Sequence, residues 1–206
     1  MAGIIGKKIG MTRLFGVNGD SHAVTILEAG PCVITQIKTE ATDGYSAIQV
    51  GFGALADNKV TKPSRGHFNK SSSTPKRHLV EFPTLSYSDQ PKLGDKVTVS
   101  IFGEGDRVTV KGISKGKGFS GVVKRHGFGG GRKTHGQSDR LRAPGSIGQA
   151  SDPSRVWPGT KMPGQYGNKT AVVKNLQVIR IDLDNHYLFL KGSVPGARNS
   201  LVMVTK

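Results

Sequence analysis

Residues 111–170 limit what this chain can fold into. These sixty residues hold twelve Lys or Arg, two acids (Asp139 and Asp152) and fourteen Gly, against only six Val, Ile or Leu. So few aliphatic side chains cannot bury enough apolar surface to offset the conformational entropy of ordering the segment. The segment is therefore mobile or ordered by a partner. Its net charge of +10 makes that partner a polyanion. Residues 1–110 and 171–206 carry only +3 each, so the charge of +16 is local and marks a binding element.

The flanking sequence reads as short strands between turns. Ala23–Leu27, Val33–Ile37, Ala47–Phe52, Val97–Phe102, Arg107–Val110, Val172–Ile181, Tyr187–Leu190 and Leu201–Val204 are rich in β-branched residues, and several alternate with period two. Asn18-Gly19-Asp20, Asp43-Gly44, Gly103–Asp106 and Asp184-Asn185 supply turn signals. This pattern predicts a mainly β protein, a small antiparallel barrel or sandwich. Residues 55–95 form a second irregular stretch with basic runs at Lys59–Lys70 and Lys76-Arg77-His78, room for one short helix and one edge strand, and either a solvated or a binding role. The expected division is barrel at 1–54, basic insertion at 55–95, barrel at 96–110, a long excursion at 111–170 and barrel again at 171–206.

Cys32 is the only cysteine, which excludes an internal disulfide and a cysteine-based zinc cluster and fits a reducing compartment. Its place in the apolar run Cys32-Val33-Ile34 predicts a core residue. No stretch is long and apolar enough for a membrane helix, and the N-terminus lacks a secretory pattern, so the expectation is a soluble cytosolic protein. The six histidines show no metal spacing, and no catalytic constellation stands out. The expectation is neither an enzyme nor a cofactor binder.

Gly116-Lys117-Gly118-Phe119-Ser120-Gly121 matches G-x-G-x-x-G, and Asp139 lies near the distance of a ribose-binding acid. The residues between cannot form the crossover helix a dinucleotide site needs, so the match is a decoy. The same glycines have a better use beside lysine, because alternating Lys and Gly brings ammonium groups and backbone N–H donors close to phosphates. Arginine forks can clamp phosphate or stack on a base. Phe119, Phe128, Trp157 and Tyr166 punctuate the basic run, where unpaired bases could stack on them. Alternatively each aromatic pins the loop locally, and for Phe119 this local role is the expectation. The candidate nucleic-acid contacts along the excursion are Lys115, Lys117, Lys124, Arg125 and His126, then Arg132, Lys133, His135, Arg140 and Arg142, then Arg155, Trp157, Lys161 and Lys169.

Longer stretches bear a family likeness. The opening Gly3-Ile4-Ile5-Gly6-Lys7-Lys8-Ile9-Gly10-Met11-Thr12-Arg13-Leu14-Phe15 and the run Gly112–Arg125 resemble bacterial-type ribosomal protein L-three of the large subunit. Lys62-Pro63, Gly66-His67-Phe68 and Pro75-Lys76-Arg77 fit that family's insertion. Gly145–Gln149 and Lys161–Asn168 fit the tip and return arm of its long finger. Thr109 departs from the family, which usually has Asp or Asn there; the departure bears on a local turn or cap and not on the likeness.

The resemblance implies a translation-factor-like barrel on the outer surface of the large subunit and a finger running through rRNA towards the peptidyl transferase centre. It implies 23S rRNA, bound near its 3′ end early in assembly, and neighbouring large-subunit proteins as partners, with no membrane and no small-molecule substrate. Lys7 and Lys8 are further candidate RNA contacts. The resemblance also makes Gln149 the counterpart of a glutamine that is N5-methylated in some bacteria.

Overall fold

A computed structural model describes residues 3–16, 19–83 and 91–206. The chain runs β1 (Gly3–Phe15), β2 (Ser21–Ala29), β3 (Cys32–Lys38), α1 (Glu40–Asp43), β4 (Ala47–Ala54), α2 (Lys62–Lys70), β5 (Lys76–Pro83) and β6 (Lys96–Val97). It continues as β7 (Arg107–Ile113), β8 (Phe119–Ser120), α3 (Val122–His126), β9 (Gly164–Gln165), β10 (Thr170–Asp182), β11 (Tyr187–Lys191) and β12 (Leu201–Thr205). The division into compact units is Met1–Ser114 with Thr170–Lys206, and Lys115–Lys169.

In the first unit six antiparallel strands close a barrel in the order β1-β12-β7-β10-β11-β2. Closure satisfies every strand edge, which a small open sheet cannot do. Inward positions alternate along the strands: Val108 and Val110 on β7, Leu188 and Leu190 on β11, Val202 and Val204 on β12 are all buried. The mainly β reading therefore holds, and the sandwich alternative gives way to a closed barrel. A second sheet, β5-β4-β3-β6, shares the core through Ile34, Ile48, Val50 and Phe82. β3 and β4, expected within the barrel's first part, pair in this second sheet.

The strand expected over Val97–Phe102 is mostly absent. Lys96–Val97 pair with β3, and Val99–Ile101 then turn as a 3₁₀ helix. The buried residues Val99 and Phe102 are three apart, the spacing of a 3₁₀ face rather than a strand. Ser100 Oγ and Thr98 Oγ1 share a 2.8 Å hydrogen bond across the turn.

Gly3–Phe15 shows no strand pattern in the sequence, yet β1 is among the longest strands and pairs with both β2 and β12. Gly3 and Gly6 mark close approach rather than turns. A Cβ on Gly3 would lie 2.2 Å from the Phe82 ring, so only glycine lets the second sheet's aromatic pack against β1.

Thr109 lies inside β7, within the strand expected over Arg107–Val110, and its carbonyl accepts from Thr205 Oγ1 at 3.4 Å. The turn signals mark connections. Gly44 caps α1 with φ 79°, and Asp106 Oδ2 accepts from the Gly103 N–H at 2.7 Å. Asp182 accepts from Asn185 through both backbone and side chain, which holds its carboxyl below the usual range. Asn18 of the first turn lies outside the described residues.

Cys32 is fully buried, and its thiol donates to the Ile5 carbonyl at 3.4 Å. Burial pushes its pKa up to about 12. The folded chain should therefore leave Cys32 unreactive toward an aromatic disulfide reagent at about pH 8, with full reaction on denaturation. Leu188, also fully buried, fills the barrel. Leu188→Ala should cost about 2–5 kcal/mol, read as a lower denaturant midpoint at constant slope.

Candidate nucleic-acid interface

The segment Lys115–Lys169 carries eleven Lys or Arg against Asp139 and Asp152. Ser120 and Val122 are its buried residues. Such a segment has no hydrophobic core of its own, so short-range backbone bonds and glycine geometry define its path.

Its base is a small ladder. β8 pairs with β9, Phe119 opposite Gln165 and Ser120 opposite Gly164. The Lys117 N–H donates to the Tyr166 carbonyl at 2.8 Å, and the Tyr166 N–H donates to the Gly118 carbonyl at 2.9 Å. The Lys117 ammonium lies 4.6 Å from the centre of the Tyr166 ring, a cation–π contact. Gly167 is needed where the two arms cross. Its φ is 71°, and a Cβ would lie 2.0 Å from the Lys115 carbonyl oxygen.

Beyond this ladder α3 turns the chain, ending at Gly127 in the left-handed region. Two expected contacts face inward here. Arg125 Nη1 donates to the Met162 carbonyl at 2.6 Å, and His126 Nε2 donates to the same oxygen at 3.1 Å. They tie the outgoing arm to the returning one, while Lys124, just before them, is exposed.

Farther along, Gln137 closes a loop. With its amide turned so that the oxygen faces them, it accepts the N–H groups of Arg140 at 3.1 Å and Leu141 at 3.0 Å. The Gly131 N–H donates to the Leu141 carbonyl at 2.8 Å. Nothing in the charge pattern pointed to Gln137; the signal available was a polar amide three and four residues before those N–H groups.

Arg132, Lys133, His135, Arg140, Arg142, Lys161 and Lys169 are exposed. Arg155 stacks on Trp157 at 4.9 Å, and Trp157 remains 53 % exposed. Phe119, expected as a local pin, is 79 % exposed, because its two-residue strand has no second layer to receive it. Gln149 is exposed in an open cavity of about 370 Å³ that Ile147, Arg155 and Val156 also line.

The two earlier lysines lie in the first unit. Lys8 Nζ donates to the Val194 carbonyl at 2.7 Å and the Gly196 carbonyl at 3.3 Å, clasping that loop. Lys7 is half-buried opposite Glu28.

Among the described residues no group of three metal-ligating side chains converges, and no helix is long and apolar enough to cross a membrane. These features define the class: a β-barrel protein carrying a strongly cationic, coreless segment.

Comparison with known proteins narrows the class. The model of the family described as ribosomal protein L3 matches residues 86–186. The large ribosomal subunit protein uL3 of Herpetosiphon aurantiacus is 52% identical over 204 residues, covering 99% of this chain and 95% of that protein. The uL3 of Chlorobium phaeovibrioides is 53% identical, covering 99% and 98%. That of Chlorobium limicola is 49% identical with the same coverage. The chain belongs to the uL3 family of ribosomal proteins.

The base ladder gives a direct test of local order. In the RNA-free chain the Lys117 and Tyr166 amides should exchange more slowly than those of residues 132–136. Gly167→Ala should erase that difference while leaving exchange in β7 and β10 unchanged, as read by hydrogen exchange.

Proposed function

We propose that this protein anchors in the large ribosomal subunit through 23S rRNA, its cationic limb becoming ordered as folded RNA surrounds it. A member of the uL3 family is a structural constituent of that subunit in the cytoplasmic ribosome and is not an enzyme. The observation that carries the finer reading is the limb itself, with a net charge of +9 and two buried residues. Phosphates on several sides supply what its own interior lacks, so binding and ordering are one event.

The roles divide by geometry. Arg125 and His126 hold the two arms together, and the exposed cations Lys124, Arg132, Lys133, Arg140, Arg142 and Lys161 meet phosphate. Trp157, backed by Arg155, offers a face on which an unpaired base stacks. A thin glycine-rich limb suits channels between RNA helices better than a duplex groove, which favours folded RNA over DNA. Binding near the 3′ end of 23S rRNA, early in assembly and with the limb directed towards the peptidyl transferase centre, follows from the family likeness. So does contact with neighbouring large-subunit proteins. Gln149, exposed on the limb, is the proposed methyl acceptor.

The test is footprinting of the full chain on naked 23S rRNA, with and without residues 127–165. The whole protein should protect one region and the deletion should lose most of that protection. The truncated chain should keep the barrel's cooperative unfolding, because all six barrel strands lie outside the deletion. With about eight cations on phosphate, log affinity should fall against log salt with a slope of roughly −6 to −7. Equal protection by duplex DNA at matched salt would reject the RNA reading.

A further inference from the structure

The insertion between β4 and β6 builds a second site, remote in sequence from the limb. α2 packs Phe68 inward, 3 % exposed, and His67 Nε2 donates to Gln49 Oε1 on β4 at 2.8 Å. Between the helix and the outer face of β4–β5 lies a cleft of about 590 Å³. Its floor is apolar, with Val60, Phe68 and Leu79, and Leu79 is 40 % exposed. Lys59, Lys76 and Arg77 stand around it, and among the described residues no Asp or Glu lines it.

Two features show that this charge is placed rather than scattered. Gly51 is buried under Lys76, and a Cβ there would lie 2.9 Å from Lys76 Cγ, so the lysine stem crosses the sheet only because residue 51 lacks a side chain. Glu81, the one acid on β5, is bound elsewhere. It pairs with Lys38 at 2.8 Å and accepts from Tyr45 at 2.8 Å. Its nearest basic neighbours on the strand, Arg77 and Lys76, therefore keep their charge for an outside anion.

We propose that this cleft takes one unstacked nucleotide of the rRNA, its base on the apolar floor by Leu79 and its phosphates between Lys59, Lys76 and Arg77. An apolar floor ringed by cations matches a nucleotide, which has a flat, weakly polar base and charge at one end. An acidic peptide would use the cations but leave the floor unfilled. The inference rests on the rRNA-binding reading and extends it to a part of the chain outside the limb.

The experiment measures binding of the full chain to 23S rRNA across a salt series, with hydroxyl-radical footprinting at each point. Lys76→Ala with Arg77→Ala should flatten the log–log slope by about 2. Leu79→Ala should weaken binding roughly three- to tenfold at unchanged slope, because it removes apolar contact and no charge. Both variants should expose the same nucleotide while the limb's footprint stays intact. Lys59→Ala, on an exposed turn outside the sheet, gives the slope test again should a sheet variant fail to fold.

Variants that bind like the parent, or that weaken every protected region alike, would overturn the nucleotide site and leave the limb's role standing. So would variants that bind 23S rRNA normally but lose a neighbouring large-subunit protein during reconstitution, an outcome that assigns the cleft to an acidic partner. A parent chain that protects no region of 23S rRNA would remove the wider reading and this site with it.

Discussion

Uncompensated positive charge on a segment without a core is the constraint on which the rest depends. In residues 115–169 eleven cations face two acids, and neither Ser120 nor Val122 can hold together the chain around it. Like charges at this density repel, and the backbone costs about 1–2 kcal/mol per residue to fix. A two-residue ladder, a shared carbonyl at Met162 and the Gln137 loop order short stretches only. On the function proposed above, the remainder of the ordering free energy comes from outside, from a phosphate lattice around the limb.

That demand explains why the other unit is a closed barrel. A limb ordered by its partner needs fixed ends, or each binding event would also order its base. β7 and β10 provide those ends as adjacent strands, with Ile113 opposite Thr170. Both are held inside a closed sheet whose inward side chains are fully buried at Val110 and Val178. Loop-closure entropy grows only slowly with length, so a long connection costs the barrel little. The same barrel spends its own acids locally: Asp106 takes Lys206 at 2.5 Å, and Asp182 takes Asn185. Both carboxylates are engaged within the first unit.

Much of this was legible in the sequence, and what was not has identifiable causes. Strands with clean alternation, such as β11 and β12, announce themselves because burial on one face leaves a period of two. The limb was legible through composition, since glycine and charge without aliphatics is a thermodynamic statement about the chain itself. β1 is hard to read because Gly3, Gly6 and Gly10 lower strand propensity, while Gly3 answers a distant ring, Phe82, and Gly6 the backbone of β2 at Glu28, neither of which local pattern can reveal. Residues 97–102 were misread because three-residue spacing of Val99 and Phe102 competes with a stronger apparent alternation. The split between barrel and second sheet depends on long-range pairing, and pairing partners are not written in any one strand.

The candidate site shows the same limit at the level of single side chains. Charge predicts that Arg125 faces the partner, yet its guanidinium serves Met162, thirty-seven residues away. Lys8 likewise serves the carbonyls of Val194 and Gly196. A basic residue in a coreless segment has two uses, because the same five donors of an arginine that grip phosphate can satisfy a bare carbonyl. Arg125 does both kinds of work at once if one nitrogen holds Met162 and the others face outward. Replacing it by lysine keeps the charge but loses the planar fork, and with it the link between the arms. At the limb's base Arg125 thus serves the limb's shape while its neighbour Lys124 stays exposed, and a count of charge alone does not separate the two uses.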